Sequence, residues 1–291
     1  MSDGIPTCQG PDRITRKPSF KVPANACDCH AHVFGPAAIH PFSPDRSYTP
    51  EDCTIDQYAG MLGTIGFTRA VLVQGGPHGI DNTATLAAIK KMGDRFRGVA
   101  VIPSGLPEAE RLALHQQGIR GTRMSTVVRG GVGFSHLENL SAECHELGWH
   151  VMLHLHRSAE LIDLAPRLKR TQSAFMLDHL GRVTGEEGID SPGFKAVMEL
   201  LETGRCWIKL ASLYRLSSEP YPHKDMLPMI HKVVQTRPDR IVWGSNWPHP
   251  IHPGLMPNDG DLVDLIPLWV PDEGQREQML VTNPAALYGF E

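Results

Sequence analysis

Eight short apolar runs recur along the 291-residue chain, and each is followed by a stretch with the polarity pattern of a helix. Runs of this length that are rich in Val, Ile and Leu are typical of parallel strands buried on both faces. The runs are ACDCHAHVF (26–34), AVLVQGG (70–76), GVAVIPS (98–104), GIRGTRMS (118–125), HVMLHLH (150–156), AFMLDHLG (174–181), CWIKLAS (206–212) and RIVWGSNW (240–247). Eight alternating strand–helix units predict an α/β protein with a (β/α)8 barrel.

An open, doubly wound sheet would also alternate strands with helices. That fold commonly carries a glycine-rich phosphate-binding turn after its first strand, and no such turn follows residues 26–34. We therefore predict a TIM-like barrel. Residues 26–291 are expected to form this single catalytic domain, preceded by a polar N-terminal arm over residues 1–25.

The charge and the apolar content of the chain limit the kinds of molecule that it is expected to bind. A formal net charge of −4 without a basic stripe argues against nucleic acid, and no apolar run approaches the roughly 20 residues of a membrane helix. The N-terminus lacks the apolar region of a signal peptide, and the six cysteines show no framework spacing. We expect a cytoplasmic protein that binds neither nucleic acid nor membrane, and we leave a homo-oligomer open.

Histidines are the unusual component, with 15 in the chain. Catalytic groups of a barrel lie at the carboxyl ends of the strands, and alternate residues of a strand point the same way. His30 and His32 should therefore project together, and so should His154 and His156. The other strand ends carry Gln74 with nearby His78, Arg123, Asp178 with His179, Lys209, and Asn246 with His249. Several imidazoles should converge on one barrel mouth.

Such a cluster would suit a metal ion, since neutral imidazole is the commonest protein ligand of zinc. However, Asn246 stands where a metal-binding or catalytic carboxylate would be expected. We predict that no cofactor is required, with one zinc ion as the alternative. Its ligands would be His30, His32, His154 and His179. A structural role is favoured for Lys209 and for His249.

Several motifs resemble the amidohydrolase superfamily, and more narrowly its lactonase branch. They are DCHAHVFGP in the first strand, LDHLGR in the sixth, WGSNWPHP in the eighth, and TNPAALYGF near the C-terminus. The branch includes the 2-pyrone-4,6-dicarboxylate hydrolases and the galactarolactone isomerases, and the similarity extends over almost the whole chain. It implies a barrel enzyme that acts on a small lactone in the catabolism of aromatic compounds or sugar acids.

The resemblance also implies roles for individual residues. By position, His30, His32 and His179 match residues that hold the lactone carbonyl, and Asn246 matches the catalytic aspartate of the hydrolases. Arginines that grip substrate carboxylates are matched by Arg123, Arg129 and Arg215, and Gln74, His78 and His156 are further candidates for substrate binding. Arginine also suits an anionic substrate on chemical grounds, because its planar fork binds a carboxylate through two hydrogen bonds. His154 departs from the pattern, since the hydrolases carry an aromatic hydroxyl there.

Asn246 leaves the reaction open, because an amide cannot act as a base near neutral pH. Three explanations stay open. In the first, the protein is an isomerase in which Asn246 positions an attacking substrate hydroxyl. In the second, it is a hydrolase in which His154, His156 or His179 replaces the aspartate as base, and in the third, Asn246 is an engineered replacement of an aspartate.

Lactone hydrolysis by attack at the acyl carbon is the predicted activity, and lactone isomerisation is the alternative. A barrel that only binds lactones or sugar acids is the non-enzymatic alternative. Any bell-shaped pH profile is expected to come from histidine, near its ordinary pKa of about 6.5.

Overall fold

Eight parallel strands form one sheet in chain order in the computed structural model, which describes residues 4–291. Each strand lies inside or beside one of the apolar runs, so the predicted (β/α)8 barrel is confirmed. The strands are β1 (Cys27–Ala31), β2 (Arg69–Val73), β3 (Phe96–Ala100), β4 (Ile119–Ser125), β5 (His150–His154), β6 (Phe175–Leu177), β7 (Cys206–Leu210) and β8 (Ile241–Trp243).

Helices surround the sheet and connect its strands. They are α1 (Ile55–Ile65), α2 (Thr83–Met92), α3 (Glu108–Gln116), α4 (Leu137–Glu146), α5 (Glu160–Leu168), α6 (Pro192–Leu201), α7 (Leu227–Thr236), α8 (Asp259–Asp264), α9 (Ile266–Trp269), α10 (Glu273–Glu277) and α11 (Asn283–Tyr288). Local signals start several of them: the Ser191 side chain accepts a hydrogen bond from the Phe194 N–H ahead of α6, and Asn258 caps α8 in the same way. None of the helices within residues 4–291 is long and apolar enough to cross a membrane.

Two apolar clusters hold the barrel together. The larger one lies between the sheet and the surrounding helices. The smaller one fills the barrel interior with side chains such as Cys29, Val73, Met152 and Val242, and Tyr288 and Phe290 of the C-terminal segment pack against it. Packed side chains therefore fill the interior below the carboxyl ends of the strands, and a substrate could bind only at the mouth of the barrel.

The first and last strands meet through the backbone just beyond their ends. The Asn246 N–H donates to the His30 carbonyl at 2.7 Å, and the His32 N–H donates to the Trp247 carbonyl at 2.8 Å. These two bonds bring two of the predicted site residues, His30 and Asn246, to the same end of the barrel.

The N-terminal segment lies against the barrel through polar contacts. The Cys8 N–H donates to the Thr49 carbonyl. The Arg16 side chain contacts Asp261 of α8 at 2.6 Å and Asp264 at the same distance. Whether residues 1–25 form a separate arm stays a prediction, and residues 1–3 lie outside the described part of the chain.

Candidate active site

A cavity of about 400 Å³ opens at the carboxyl ends of the strands. Its wall is polar and apolar in about equal parts, and the residues come from the ends of β4 and β5 and from the loops that follow β1, β2, β4, β5, β6, β7 and β8. The polar and aromatic residues of the wall are His32, Tyr48, Arg123, His154, His156, His179, Arg182, Tyr214, Arg215, Asn246 and His252. This is the mouth at which the sequence predicted convergence.

Three imidazoles pack against one another at this end of the barrel. The ring centroid of His30 is 4.8 Å from that of His32 and 5.0 Å from that of His179, and the Nε2 atoms of His30 and His32 are 3.2 Å apart. The Nδ1 atoms of His32 and His179 face the carbonyls of Val73 and Ala211 at 2.8 and 3.1 Å. A carbonyl can only accept, so both neutral rings carry their proton on Nδ1 and present a lone pair at Nε2.

Asp178 is the charged centre beneath this cluster. One of its carboxylate oxygens lies 3.2 Å from His30 Nδ1 and 3.3 Å from Lys209 Nζ, and the other lies 3.2 Å from an Arg123 nitrogen. Burial alone would raise the pKa of Asp178, but His30 and Lys209 hold it well below its usual range. The structure therefore places Lys209, for which a structural role was favoured, within the site.

The residues that follow β6 form a left-handed turn, and this turn sets the directions of their side chains. His179, Leu180, Gly181 and Arg182 all have positive φ, between 52° and 64°. The strand ends at Leu177, and the turn sends the buried Leu180 into the core while His179 and Arg182 reach the cavity wall. Non-glycine residues adopt this backbone only where the surroundings hold them there.

Burial keeps the site imidazoles neutral. It lowers the pKa of His32 and of His179 to about 3, and it lowers the pKa values of His30 and His154 well below the ordinary value. These four rings are weak bases at neutral pH. The low pKa values of these four rings do not support a pH profile set by histidine near 6.5, and the origin of any bell-shaped profile stays a prediction.

His154 differs from His32 and His179 in the partner of its Nδ1 atom, which is a hydroxyl in place of a carbonyl. The Ser125 hydroxyl accepts from the Val127 N–H at 3.1 Å and contacts His154 Nδ1 at 3.0 Å, so it is free to donate to that nitrogen. In the tautomer that accepts this bond, the Nε2 of His154 carries the proton and is a donor. His156 lies beyond the end of β5, is exposed, and belongs to the rim of the cavity.

Three arginines line the cavity, and each has a buried Nε without a hydrogen-bond partner within residues 4–291. They are Arg123, Arg182 and Arg215. Two of them were predicted, whereas Arg182 was not. The predicted Arg129 is exposed on the loop after β4 and is not part of the wall, and its backbone N–H donates to the Ser47 hydroxyl at 2.8 Å.

Gln74 and His78 are buried in the loop after β2 and are not part of the cavity wall. The Gln74 amide donates to backbone carbonyls of its own loop and accepts from the Thr85 hydroxyl at 2.7 Å. His78 contacts the Pro41 carbonyl through Nδ1 and accepts from the Gly35 N–H. These contacts order the loop, and a direct role in substrate binding stays a prediction.

Asn246 belongs to a second polar chain on the opposite side of the cavity from β4. Its side-chain amide donates to the Tyr214 hydroxyl at 3.4 Å, and that hydroxyl lies 2.9 Å from Nδ1 of His249. The Nε2 of His249 lies 3.3 Å from a carboxylate oxygen of Asp259. His249, predicted to be a structural loop residue, thus connects a carboxylate to a tyrosine on the cavity wall.

The donor atoms present fit one zinc ion. Donor atoms of His30, Asp178 and His179 lie within 4.8 Å of one another, and imidazole nitrogen with carboxylate oxygen is a zinc-binding combination. Acceptors that hold Nδ1, as for His32 and His179, are the usual support of zinc-bound histidine. The set differs from the predicted one, since it contains Asp178 and lacks His32 and His154. This donor set supports the zinc alternative more than the expectation that no cofactor is required.

Sequence reasoning placed Asp178 at a strand end but gave it no role in the site, and it gave none to Tyr48, Arg182, Tyr214, His252 or Asp259. Asp178 and Arg182 could have been found from LDHLGR, because they flank a predicted site histidine. No local signal marks Tyr214 or Asp259: Tyr214 reaches the cavity from the loop after β7, and Asp259 is connected to the site only through His249.

Residues 27–290 match the amidohydrolase family. The chain is 35% identical to a 4-sulfomuconolactone hydrolase of Rhizobium radiobacter, over 98% of this chain and 97% of the relative. It is 37% identical to a 2-pyrone-4,6-dicarboxylate hydrolase of Comamonas testosteroni, over 94% and 92%. A D-galactarolactone isomerase of Agrobacterium fabrum is 30% identical over 93% of both chains.

Solved structures agree with these relatives. An apo protein of Agrobacterium tumefaciens superposes with a TM-score of 0.83 at 30% identity, covering 94% of this chain and 99% of that one. A "probable 2-pyrone-4,6-dicarboxylic acid hydrolase" of Acinetobacter baumannii with bound citric acid gives 0.79 at 28%, over 91% and 100%. A zinc-bound amidohydrolase of Burkholderia multivorans, at 18% identity and a TM-score of 0.66 over 92% and 100%, shares the fold.

Proposed function

Because the chain belongs to the amidohydrolase family, we propose that it hydrolyses a small lactone that carries at least one carboxylate. The observation that carries this proposal is the cavity wall, which combines Arg123, Arg182 and Arg215 with a cluster of neutral imidazoles. Arginine forks bind carboxylates in two-point contacts. The names of the relatives, among them a dicarboxylate hydrolase and a sulfomuconolactone hydrolase, describe the same kind of substrate.

Each part of the wall has a task in this reaction. The arginines bind the anionic groups and turn the acyl carbon toward the imidazoles. The Nε2–H of His154 is a donor for the oxygen on which negative charge develops during attack. Asn246 orients the nucleophile by hydrogen bonding and takes no proton.

Zinc, if bound, would be held by His30, Asp178 and His179. It would polarise the lactone carbonyl or acidify a water molecule. Elemental analysis of protein purified without added metal tests this point. About one equivalent of zinc, lost in a His179→Ala variant, is the expected result, whereas metal-free protein with full activity would contradict it.

The substrate class is tested with carboxylated and neutral lactones, in the wild type and in two variants. Arg123→Ala removes a charged contact, which is worth about 1.5–3 kcal/mol, so kcat/KM for the carboxylated lactone should fall about 10- to 100-fold. Arg120→Ala is the matched control, because Arg120 lies on the same strand and is not part of the cavity wall. Equal turnover of neutral and carboxylated lactones by the wild type would contradict the proposal.

Isomerisation is the second candidate function, and the amide at position 246 favours it because no hydrolytic base stands there. In that case a substrate hydroxyl attacks the acyl carbon in place of water. Reaction in ¹⁸O-labelled water separates the two, since hydrolysis incorporates the label and a direct intramolecular rearrangement does not.

A further inference from the structure

A chain of three side chains runs from the cavity wall into the protein. It starts at the hydroxyl of Tyr214, passes through the imidazole of His249 over a 2.9 Å contact, and ends at the carboxylate of Asp259, 3.3 Å from the ring. Tyr214 lines the cavity, whereas His249 is completely buried and Asp259 is 1% exposed. Only the tyrosine end is therefore accessible to a substrate.

The fold fixes the middle of this chain. His249 follows β8 with a positive φ of 58°, and its N–H donates to the carbonyl of Asn246 at 2.7 Å. Asp259 is the first residue of α8, and Asn258 caps that helix. Asp259, which does not line the cavity, thereby lies at ion-pair distance from the ring nitrogen of His249 that does not contact the tyrosine.

We propose that Tyr214 is the base that activates the nucleophile in this site, with His249 and Asp259 as its positioning residues. This inference rests on the proposed lactone chemistry. It assigns to Tyr214 the proton abstraction that the amide of Asn246 cannot perform. The phenolate oxygen takes a proton from water while the water oxygen bonds to the acyl carbon. When the ring C–O bond breaks, the tyrosine returns that proton to the leaving oxygen, and His249 keeps its own proton. In an isomerisation the substrate hydroxyl takes the place of water.

The charges around Tyr214 favour its ionised form. Burial alone would raise the pKa of this phenol, but His249, Arg215 and the Asn246 amide lower it below the ordinary value. Burial alone would lower the pKa of His249, yet Tyr214 and Asp259 raise it to about 9, so the ring is protonated at neutral pH. His252 also packs against the tyrosine, with ring centroids 5.1 Å apart.

This arrangement gives a reason for the amide at position 246. Its Nδ2 donates to the tyrosine oxygen at 3.4 Å, a contact that becomes stronger when that oxygen is negative. An aspartate there would place a second negative charge against the phenolate and disfavour it. An amide is therefore the suitable partner for a tyrosine base.

A spectroscopic titration tests the base without any substrate. The chain has five tyrosines, and phenolate absorbance followed against pH should show one of them ionising below the ordinary value of about 10. That early step should be absent in Tyr214→Phe. It should move to higher pH in His249→Gln, because this variant removes the positive charge beside the phenol. In Asp259→Asn the pKa of His249 should fall, because the carboxylate that raises it is lost.

Kinetics with a carboxylated lactone test the role. Tyr214→Phe should lower kcat about 10²- to 10⁴-fold with little change in KM. The acidic limb of the kcat/KM profile should move to higher pH in His249→Gln, which removes the positive charge that lowers the pKa of Tyr214. Tyr221→Phe is the matched control, because this tyrosine is 54% exposed and lies outside the chain of contacts.

The outcomes separate the two proposals. A Tyr214→Phe variant with wild-type rate and pH profile would overturn the tyrosine base, and so would the absence of an early tyrosine titration. If the wild type turns over no lactone while the early titration is present, the proposed function is wrong and the acidified tyrosine is retained.

Discussion

Asn246 shows how much one residue contributes to the site. Its backbone has a positive φ of 68° and bonds to the His30 carbonyl, which joins the last strand to the first. Its side chain lines the cavity and reaches the Tyr214 hydroxyl. The backbone of Asn246 thus helps to close the barrel, and its side chain donates a hydrogen bond to Tyr214. The local sequence motif indicates neither contact.

Replacing Asn246 by Asp should slow the reaction at neutral pH and move the acidic limb of its pH profile upward. The added carboxylate would raise the pKa of Tyr214 and oppose the charge that develops at the carbonyl. Measuring kcat/KM against pH checks this, with Gln117→Glu as control, since Gln117 is an exposed amide outside the cavity.

The opposite result for Asn246→Asp would also be informative. Hydrolysis faster by orders of magnitude would mean that Asn246 occupies the place of a catalytic aspartate, and the tyrosine would not be the main base. Slower rearrangement with new incorporation of ¹⁸O would identify an isomerase.

At the scale of an element, the left-handed turn after β6 supplies Asp178, His179 and Arg182 from five consecutive residues. A continued strand would point alternate residues to opposite faces, so it could not send both His179 and Arg182 to the cavity. The turn depends on Gly181, which packs closely between α5 and α6. A Cβ there would lie 2.9 Å from Val197 and 3.0 Å from Leu161.

Gly181→Ala should therefore destabilise the protein more than Gly188→Ala. Both glycines have similar positive φ values, so alanine meets a similar backbone penalty of about 1–2 kcal/mol at each. At Gly188 a Cβ has no neighbour within 4 Å, whereas at Gly181 the crowding should add about 1–3 kcal/mol. Urea unfolding measures both, and kcat should fall only for Gly181→Ala. Equal losses of unfolding free energy in the two variants would show that Val197 and Leu161 can move aside without cost.

At the scale of the whole molecule, the seam between β1 and β8 decides whether the barrel closes. The carboxylate of Asp28 is completely buried there and accepts from the Ser245 N–H at 2.9 Å, the Ser245 hydroxyl at 2.6 Å and the Tyr58 hydroxyl at 2.9 Å. It thus joins the first strand, the last strand and α1. The active-site residues that flank the seam depend on this closure.

Asp28→Ala should lower the free energy of unfolding by about 3 kcal/mol or more, because each buried donor left unpaired costs about 1–3 kcal/mol. Asp56→Ala is the control, since Asp56 is an exposed aspartate paired with Lys91 at the surface, where such pairs contribute about 1 kcal/mol or less. Chemical denaturation of both variants checks the difference. Equal losses would show that backbone bonds alone close the seam.

The same carboxyl should affect the pH dependence of stability. Burial raises the pKa of Asp28 to about 6, above its value in the unfolded chain. The protonated form is thus favoured on folding, and this contribution is complete below about pH 4 and lost as the pH rises through about 6. Asp28→Asn cannot titrate, so its unfolding free energy relative to the wild type should increase between those values. A constant difference would contradict the raised pKa.

The sequence alone determined the features that depend on local periodicity. Apolar runs of fixed length predicted the strands and the barrel, and alternation along β1 brought His30 beside His32 and predicted a polar mouth. The tertiary structure decided the rest. The position of the Nδ1 protons depends on carbonyls from neighbouring strands, the low pKa values depend on burial, and the partner of Asn246 proved to be Tyr214, 32 residues away in the chain. Proton position and acidity are set by the groups and the dielectric around a side chain, and distant segments supply both.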